Sequence, residues 1–176
     1  GSIRQIWSPL LAGATIHPVV RDTARDPDAL VAFIRARGIT IYNSVPAMAM
    51  HLLDAVERSG EPLSSLRWVL FGGEVVPAAH ARRWRERFGD SHRLANLYGS
   101  TETLVNATWH EVTRPPAPDE VHTPIGWARA GCEVHLLDPN ADGVGDLAVG
   151  GAIAEGYLGE PELTAESFVG LHGKGW

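Results

Sequence analysis

The sequence predicts an α/β fold: a parallel sheet flanked by helices, followed by a small antiparallel β portion. Three observations carry that expectation. Over the first hundred residues, β-type runs alternate with helical ones roughly every 25 residues, which asks for right-handed crossovers between parallel strands. Near residue 115 the alternation gives way to Arg114-Pro115-Pro116-Ala117-Pro118-Asp119, a polar and rigid connector. Beyond it, two short strand patterns separated by turn signals suit antiparallel pairing.

The elements follow in chain order. Ala14-Thr15-Ile16-His17 reads as a first strand, ended by Pro18. Asp26-Pro27 then opens a helix to about Arg37: Asp caps the free amides, Pro fits the first turn and Gly38 closes the helix. Ile39-Thr40-Ile41-Tyr42-Asn43 is a second strand. Pro46 to about Arg58 is a helix that buries the side carrying Met50, Leu53 and Val56. Trp68-Val69-Leu70-Phe71 is a buried-type strand ending in Gly72-Gly73. Pro77 to Phe88 is a charged helix stopped by Gly89, and Leu94-Ala95-Asn96-Leu97 is a fourth strand. This arrangement is of the flavodoxin-like type. After the connector, Glu133 to Leu137 and Asp146 to Val149 are strands, with Asp138-Pro139-Asn140 and Asp142-Gly143 as turns. Pro161 to Phe168 is a short helix. The expected organisation is an α/β subdomain over 1–114 and a partial β-rich subdomain over 115–176.

Composition narrows the function classes. The chain has 176 residues, 44% of them hydrophobic and 20% charged, enough to bury a core without staples. A single cysteine, Cys132, excludes a disulfide framework and any multi-cysteine metal site. Fifteen basic residues against 21 acidic ones argue against a general nucleic-acid or anionic-membrane binder. No apolar run approaches the roughly 20 residues of a membrane span. No signal-peptide pattern opens the chain, so a soluble cytoplasmic protein is expected.

Ligands of open parallel sheets bind beyond the carboxyl ends of the strands. That edge delivers Asn43, the Gly72-Gly73-Glu74 turn, and the run Asn96-Leu97-Tyr98-Gly99-Ser100-Thr101-Glu102. Gly72-Gly73 either lets backbone approach a flat or charged ligand closely or is simply a tight turn. The longer run combines an amide and a ring that suit a base with a hydroxyl and a carboxylate of the hard-oxygen kind that Mg²⁺ prefers near phosphates. The competing reading is a capped loop with a solvated glutamate.

These residues resemble a family. Tyr98-Gly99-Ser100-Thr101-Glu102 is similar to the Tyr-Gly-x-Thr-Glu motif of the adenylate-forming enzymes, and Phe71-Gly72-Gly73-Glu74 to their Gly-Gly-Glu adenine loop. Gly145-Asp146-Leu147-Ala148-Val149-Gly150-Gly151 and the following Gly156-Tyr157-Leu158-Gly159-Glu160-Pro161-Glu162-Leu163-Thr164-Ala165-Glu166-Ser167-Phe168 resemble a later motif. Its wording is typical of adenylation domains of nonribosomal peptide synthetases. The resemblance runs over essentially the whole chain. It departs at Ser100, where such domains more often carry Pro and where acyl-CoA and aryl-acid ligases often carry Ser. It departs again between Gly151 and Gly156, one residue shorter than usual, and at Glu155, which replaces a basic residue.

The resemblance implies condensation of an amino acid, or a related carboxylic acid, with ATP. Pyrophosphate leaves, and the acyl group passes to the phosphopantetheine thiol of a peptidyl carrier protein. It implies that Tyr98 stacks on adenine, that Asn96 accepts its amino group, and that Gly72, Gly73, Glu74, Leu97 and Gly99 line the nucleotide slot. It further implies that Thr101 contacts phosphate and Glu102 holds Mg²⁺. By register, Gly1, Arg4, Asn43, Leu70, Gly72, Leu97, Val105 and Asn106 would form the acyl pocket, whose polar members suggest a polar or acidic substrate group. The family's phosphate loop, ribose-binding Asp and catalytic Lys match nothing in the chain; Lys174 lies in the wrong context. The expected reading is therefore an internal core portion that needs the remainder of the adenylation domain and is inactive alone. A fragment of an acyl- or aryl-CoA ligase and a non-catalytic flavodoxin-like binding module are the alternatives.

Other signals point to packing. The eight histidines fall at no ligand-like spacing. Arg82, Arg83, Arg85 and Arg87 form a basic run expected on a solvated helix face. Trp7, Trp68, Trp84, Trp109 and Trp127 are dispersed and read as core or packing residues, and Cys132 as structural.

Overall fold

The computed structural model describes residues 2–170, with side chains from residue 5 onward. Gly1, the Arg4 side chain and Lys174 lie outside the described residues. The chain forms two compact units: Gly1–Leu97 with His110–Ile125, and Tyr98–Trp109 with Gly126–Trp176.

The first unit contains α1 (Ser2–Leu11), α2 (Arg21–Arg25), α3 (Pro27–Arg37), β1 (Ile41–Ser44), α4 (Pro46–Ser59), β2 (Trp68–Gly72), α5 (Ala78–Phe88) and β3 (Arg93–Tyr98). Helix α3 starts and stops as its sequence predicts. The Asp26 side chain accepts from the amides of Asp28 and Ala29, and Gly38 closes the helix at φ +59°, where a side chain would be strained.

Strands β1, β2 and β3 are parallel and in that order. Asn43 lies opposite Leu70, Leu70 opposite Ala95, and Gly72 opposite Leu97. Alternate residues face opposite sides, so Val69, Phe71 and Leu94 share one face and are buried. They meet Leu30, Val31 and Ile34 of α3, Leu52, Leu53 and Val56 of α4, and Trp84 of α5 in one core. The Trp84 ring stands edge-on to Phe71 at 6.4 Å and 90°. Such a pair contributes about 0.5–1.5 kcal/mol beyond its burial.

Three expectations are corrected. Ala14-Thr15-Ile16-His17 is not a strand, so three parallel strands are present where four were expected. β-type residues form a strand only when a neighbour pairs with them, and Pro18 offers no N–H for a ladder. The basic run on α5 is not wholly solvated either. Arg85 is 7% exposed and donates to the carbonyls of Gly89 at 2.7 Å, His92 at 3.3 Å and Thr113 at 2.9 Å, and also to the exposed Asp90 carboxylate. A guanidinium can be buried where several acceptors converge on its fork of donors. Arg82 donates to the Pro116 and Ala117 carbonyls and so pins the proline-rich connector, while Arg83 pairs with Asp54 and Glu57. The third correction concerns tryptophan. Trp84 is core, but Trp7, Trp109 and Trp127 are exposed, Trp127 at 81%. Trp68 is half-buried beneath the Arg93 guanidinium, 4.0 Å from its ring centre.

The second unit holds elements that the sequence pattern did not announce. The first residues of β4 (Thr108–Glu111) pair antiparallel with β5 (Trp127–Ala128), Trp109 opposite Trp127. The expected hairpin is present as β6 (Cys132–Leu137) and β7 (Asp146–Gly151), paired antiparallel along their whole length. Its turn is held by Asn140, whose Oδ1 accepts from the amides of Asp142 and Val144. Helix α6 (Pro161–Ser167) follows. Among the described residues no helix is long and apolar enough to cross a membrane.

In the first unit, His92 is buried and stacks on Phe88 at 4.1 Å, with Nε2 against the Leu63 carbonyl at 3.1 Å. Burial pushes its pKa down, with a smaller contribution from the charge of Arg87. A depressed folded value means that the neutral ring stabilises the fold above the unfolded histidine pKa of about 6.5, and that this stability is lost as the pH falls through the folded value. Urea unfolding is expected to show stability falling between pH 7.5 and 5, with a smaller fall in His92→Phe. Equal slopes for the two proteins would contradict this.

Candidate functional site

In the first unit the parallel register brings Asn43, Leu70, Gly72 and Leu97 onto one face of the sheet. This face is opposite the core face, and Asn43, Leu70 and Leu97 are half-buried on it. Four residues named by motif register thus share one surface, although nothing in their local sequence pattern says so. Past β2 the chain turns at Gly73, whose φ of +87° disfavours any side chain, and Glu74 is exposed.

Asn96 occupies the core face at 4% exposure. Its Nδ2 donates to the carbonyls of Thr123 at 3.2 Å and Pro124 at 2.9 Å. Both amide hydrogens are therefore used within the unit, and this fixes Oδ1 as the acceptor end of the group. An amide held in this way can receive an amino group but has no hydrogen left to donate.

In the second unit, the segment from Tyr98 to Ala107 forms a closed loop. Ala107 donates to the Tyr98 carbonyl at 2.8 Å, Val105 to that of Ser100 at 2.9 Å, and the Ser100 amide to Thr103 Oγ1 at 2.8 Å. Closure requires glycine at 99: a Cβ there would lie 2.6 Å from the Val105 oxygen and 2.7 Å from the Asn106 Cα. The loop also carries strain, with Leu104 at φ +53° and Val105 at φ +81°. Each such residue costs on the order of 1–3 kcal/mol and persists only where its surroundings over-determine it. The Tyr98 ring is 41% exposed, and Thr101 is exposed.

Glu102 is anchored at both ends. Its carbonyl accepts from the Ala154 amide at 2.7 Å, and its carboxylate accepts from the Tyr157 hydroxyl at 2.6 Å. The Tyr157 hydroxyl, then that of Ser100, holds the Glu102 carboxyl below the ordinary carboxylate range, and the same bond pushes the Tyr157 phenol up. Tyr157 is itself fixed: its amide donates to Thr164 Oγ1 at 2.9 Å, and its ring lies edge-on to Phe168 at 5.6 Å. A cavity of about 340 Å³ in this unit is lined by Tyr98, Ser100, Glu102, His135, Val149 and Tyr157, among others.

Among the described residues no group of three or more His, Cys, Asp or Glu side chains could hold a metal ion by itself. An ionised Glu102 fits the usual habit of Mg²⁺, which takes one or two protein carboxylates together with substrate phosphates. Nothing in the local sequence around Tyr157 marks its hydroxyl as a partner for Glu102, 55 residues away. Arg129, which donates through Nε to the Asn106 carbonyl, carried no signal at all.

The model of the AMP-binding enzyme family matches residues 1–158. The chain is 35% identical over 178 residues to a dimodular nonribosomal peptide synthase of Bacillus subtilis (strain 168), covering 96% of this chain and 7% of that protein. It is 35% identical over 179 residues to syringomycin synthase SyrB1 of Pseudomonas syringae pv. syringae, covering 98% of this chain and 29% of that one. Among solved structures, the nonribosomal peptide synthetase FmoA3 in its alpha-methyl-L-serine-AMP bound form superposes with a TM-score of 0.85 at 29% identity. That match covers 99% of this chain and 20% of FmoA3. The chain thus spans less than a third of the length of each.

Removing the phenol hydroxyl in Tyr157→Phe is expected to raise the Glu102 carboxyl pKa toward the ordinary glutamate value, read by carbon-13 titration of the labelled side chain. An unchanged value would show that the hydroxyl does not hold the carboxylate.

Proposed function

Because the chain belongs to the AMP-binding enzyme family, we propose that it forms part of an adenylation domain of a nonribosomal peptide synthetase. In this reading an amino acid, or another carboxylic acid, is activated with ATP as an acyl adenylate. The acyl group is then handed to the phosphopantetheine thiol of a peptidyl carrier protein. FmoA3 has been captured with alpha-methyl-L-serine-AMP and with AMPPNP, which supports an acid and a nucleotide as the two substrates.

The chemical difficulty is that a carboxylate must approach an α-phosphate of its own sign. Donors fixed in advance lower that barrier because they need no reorganisation as charge develops. The residues are assigned accordingly. Tyr98 offers its exposed ring for stacking on adenine, and the acceptor end of Asn96 receives the exocyclic amino group. Gly72, Gly73, Glu74, Leu97 and Gly99 line the nucleotide slot. Thr101 donates its hydroxyl to phosphate. Glu102, kept ionised by Tyr157, holds the Mg²⁺ that accompanies ATP, and that ion supplies charge neutralisation at the phosphates. Asn43, Leu70, Gly72, Leu97, Val105 and Asn106 face the acyl group, with Arg4 assigned beside them on the resemblance alone.

The observation that carries this reading is the closed Tyr98–Ala107 loop, in which the aromatic ring is left exposed while the Glu102 carboxylate is oriented by a fixed donor.

The test is acid-dependent exchange of radiolabelled pyrophosphate into ATP by the intact protein, over a panel of amino and other carboxylic acids. Exchange is expected with a small subset of them. Tyr98→Ala should raise the KM for ATP about 10- to 100-fold, the usual worth of a base–aromatic stack. Glu102→Gln should lower kcat by about 100-fold, in line with the several kcal/mol that a metal supplies. Exchange with no acid, or variants indistinguishable from wild type, would overturn the proposal.

A further inference from the structure

Two consecutive non-glycine residues, Leu104 and Val105, have positive φ, and the second is β-branched. A pair of this kind must be held by its surroundings. On its entry side the loop is held by hydrogen bonds from Leu104 to the Thr101 carbonyl and from Val105 to that of Ser100. On its exit side both carbonyls that follow the strained pair end on one residue. Arg129 donates its backbone N–H to the Ala107 carbonyl at 2.9 Å and its side-chain Nε to the Asn106 carbonyl, while Nη1 reaches the Ala130 carbonyl at 3.0 Å.

The backbone bond to Ala107 survives any substitution at 129. The bond to the Asn106 carbonyl depends on the guanidinium. It acts on the Asn106–Ala107 peptide plane, one residue past Val105, and so fixes the backbone direction in which Asn106, and the strained Val105 joined to it, present their side chains. Hydrogen bonds from a charged donor are about twice as strong as neutral ones. A guanidinium makes two of them from one rigid plane, which the single flexible ammonium of lysine cannot do at the same positions.

We propose that Arg129 is a positioning residue for Val105 and Asn106, and through them helps to determine which carboxylic acid the site accepts. The second half of that statement rests on the acyl-pocket role given to Val105 and Asn106 above; the first half rests on the loop alone.

The test compares wild type with Arg129→Ala and Arg129→Lys. In the full 176-residue chain, amide hydrogen exchange at Val105 and Ala107 should speed up by about 10-fold in Arg129→Ala, the worth of one charge-assisted hydrogen bond. Arg129→Lys should fall between the two, and the β6–β7 amides should exchange as before. In the intact protein, the ratio of kcat/KM for the preferred acid over a homologue differing by one methylene should fall at least about 5-fold, with the KM for ATP unchanged, because one methylene is discriminated by only about 10- to 200-fold to begin with. Unchanged exchange at Val105 and Ala107 would overturn the positioning role. Altered exchange with an unchanged ratio would overturn the specificity role. If the wild-type protein activates no acid, the acyl-pocket reading fails, while the hydrogen-exchange arm still decides whether Arg129 holds the loop.

Discussion

The register of β2 between its two parallel neighbours is the constraint on which the first unit depends. Val69 and Phe71 point into the helical core, and Leu70 and Gly72 necessarily point the other way. A slip of one residue would exchange the two sets. It would put Gly72 where Phe71 now meets Trp84 and carry the phenylalanine to the place that Leu70 holds between Asn43 and Ala95. Core packing therefore fixes the position of Asn43, Leu70, Gly72 and Leu97 as well. The face proposed to meet substrate is specified by residues that never touch it.

The second unit relies on a different device. Its loop from Tyr98 to Ala107 is closed by backbone against backbone, with glycine at 99 as the only residue that fits and two residues in unfavourable conformations beside it. Order there comes from hydrogen bonds that converge from outside the loop: Arg129 at its exit, Ala154 and Tyr157 at Glu102. A surface segment with this much external bracing presents its side chains in one arrangement, which recognition of a small charged ligand requires.

Local rules made much of the fold legible. Asp26 and Gly38 announced both ends of α3, and the glycine turn after Phe71 marked the end of β2. The Asn140 and Gly143 turn signals located the β6–β7 hairpin. Where the local rules failed, the missing information was tertiary. Ala14 to His17 has strand-forming residues but no partner strand. Arg85 sits in a run of charges, yet four acceptors contributed by two stretches of chain, residues 89–92 and Thr113, draw it inward. Trp109 and Trp127 carry the residue type of a core, yet they lie opposite each other and are both exposed. For the candidate site, the motif residues themselves were visible. The groups that hold them, Tyr157 and Arg129, were not, because a hydrogen bond between residues 55 or 23 positions apart leaves no mark in either neighbourhood.

The central claim is that these motif residues recognise an adenylate. Titration of the isotope-labelled protein with AMP, followed by amide and side-chain NMR, tests it most directly. The account predicts saturable shifts at Gly73, at the Asn96 side-chain amide, at the Tyr98 ring and at Thr101, with the β6–β7 turn around Asn140 unmoved. Saturation that leaves those four positions unchanged, or shifts confined to other surfaces, would contradict it.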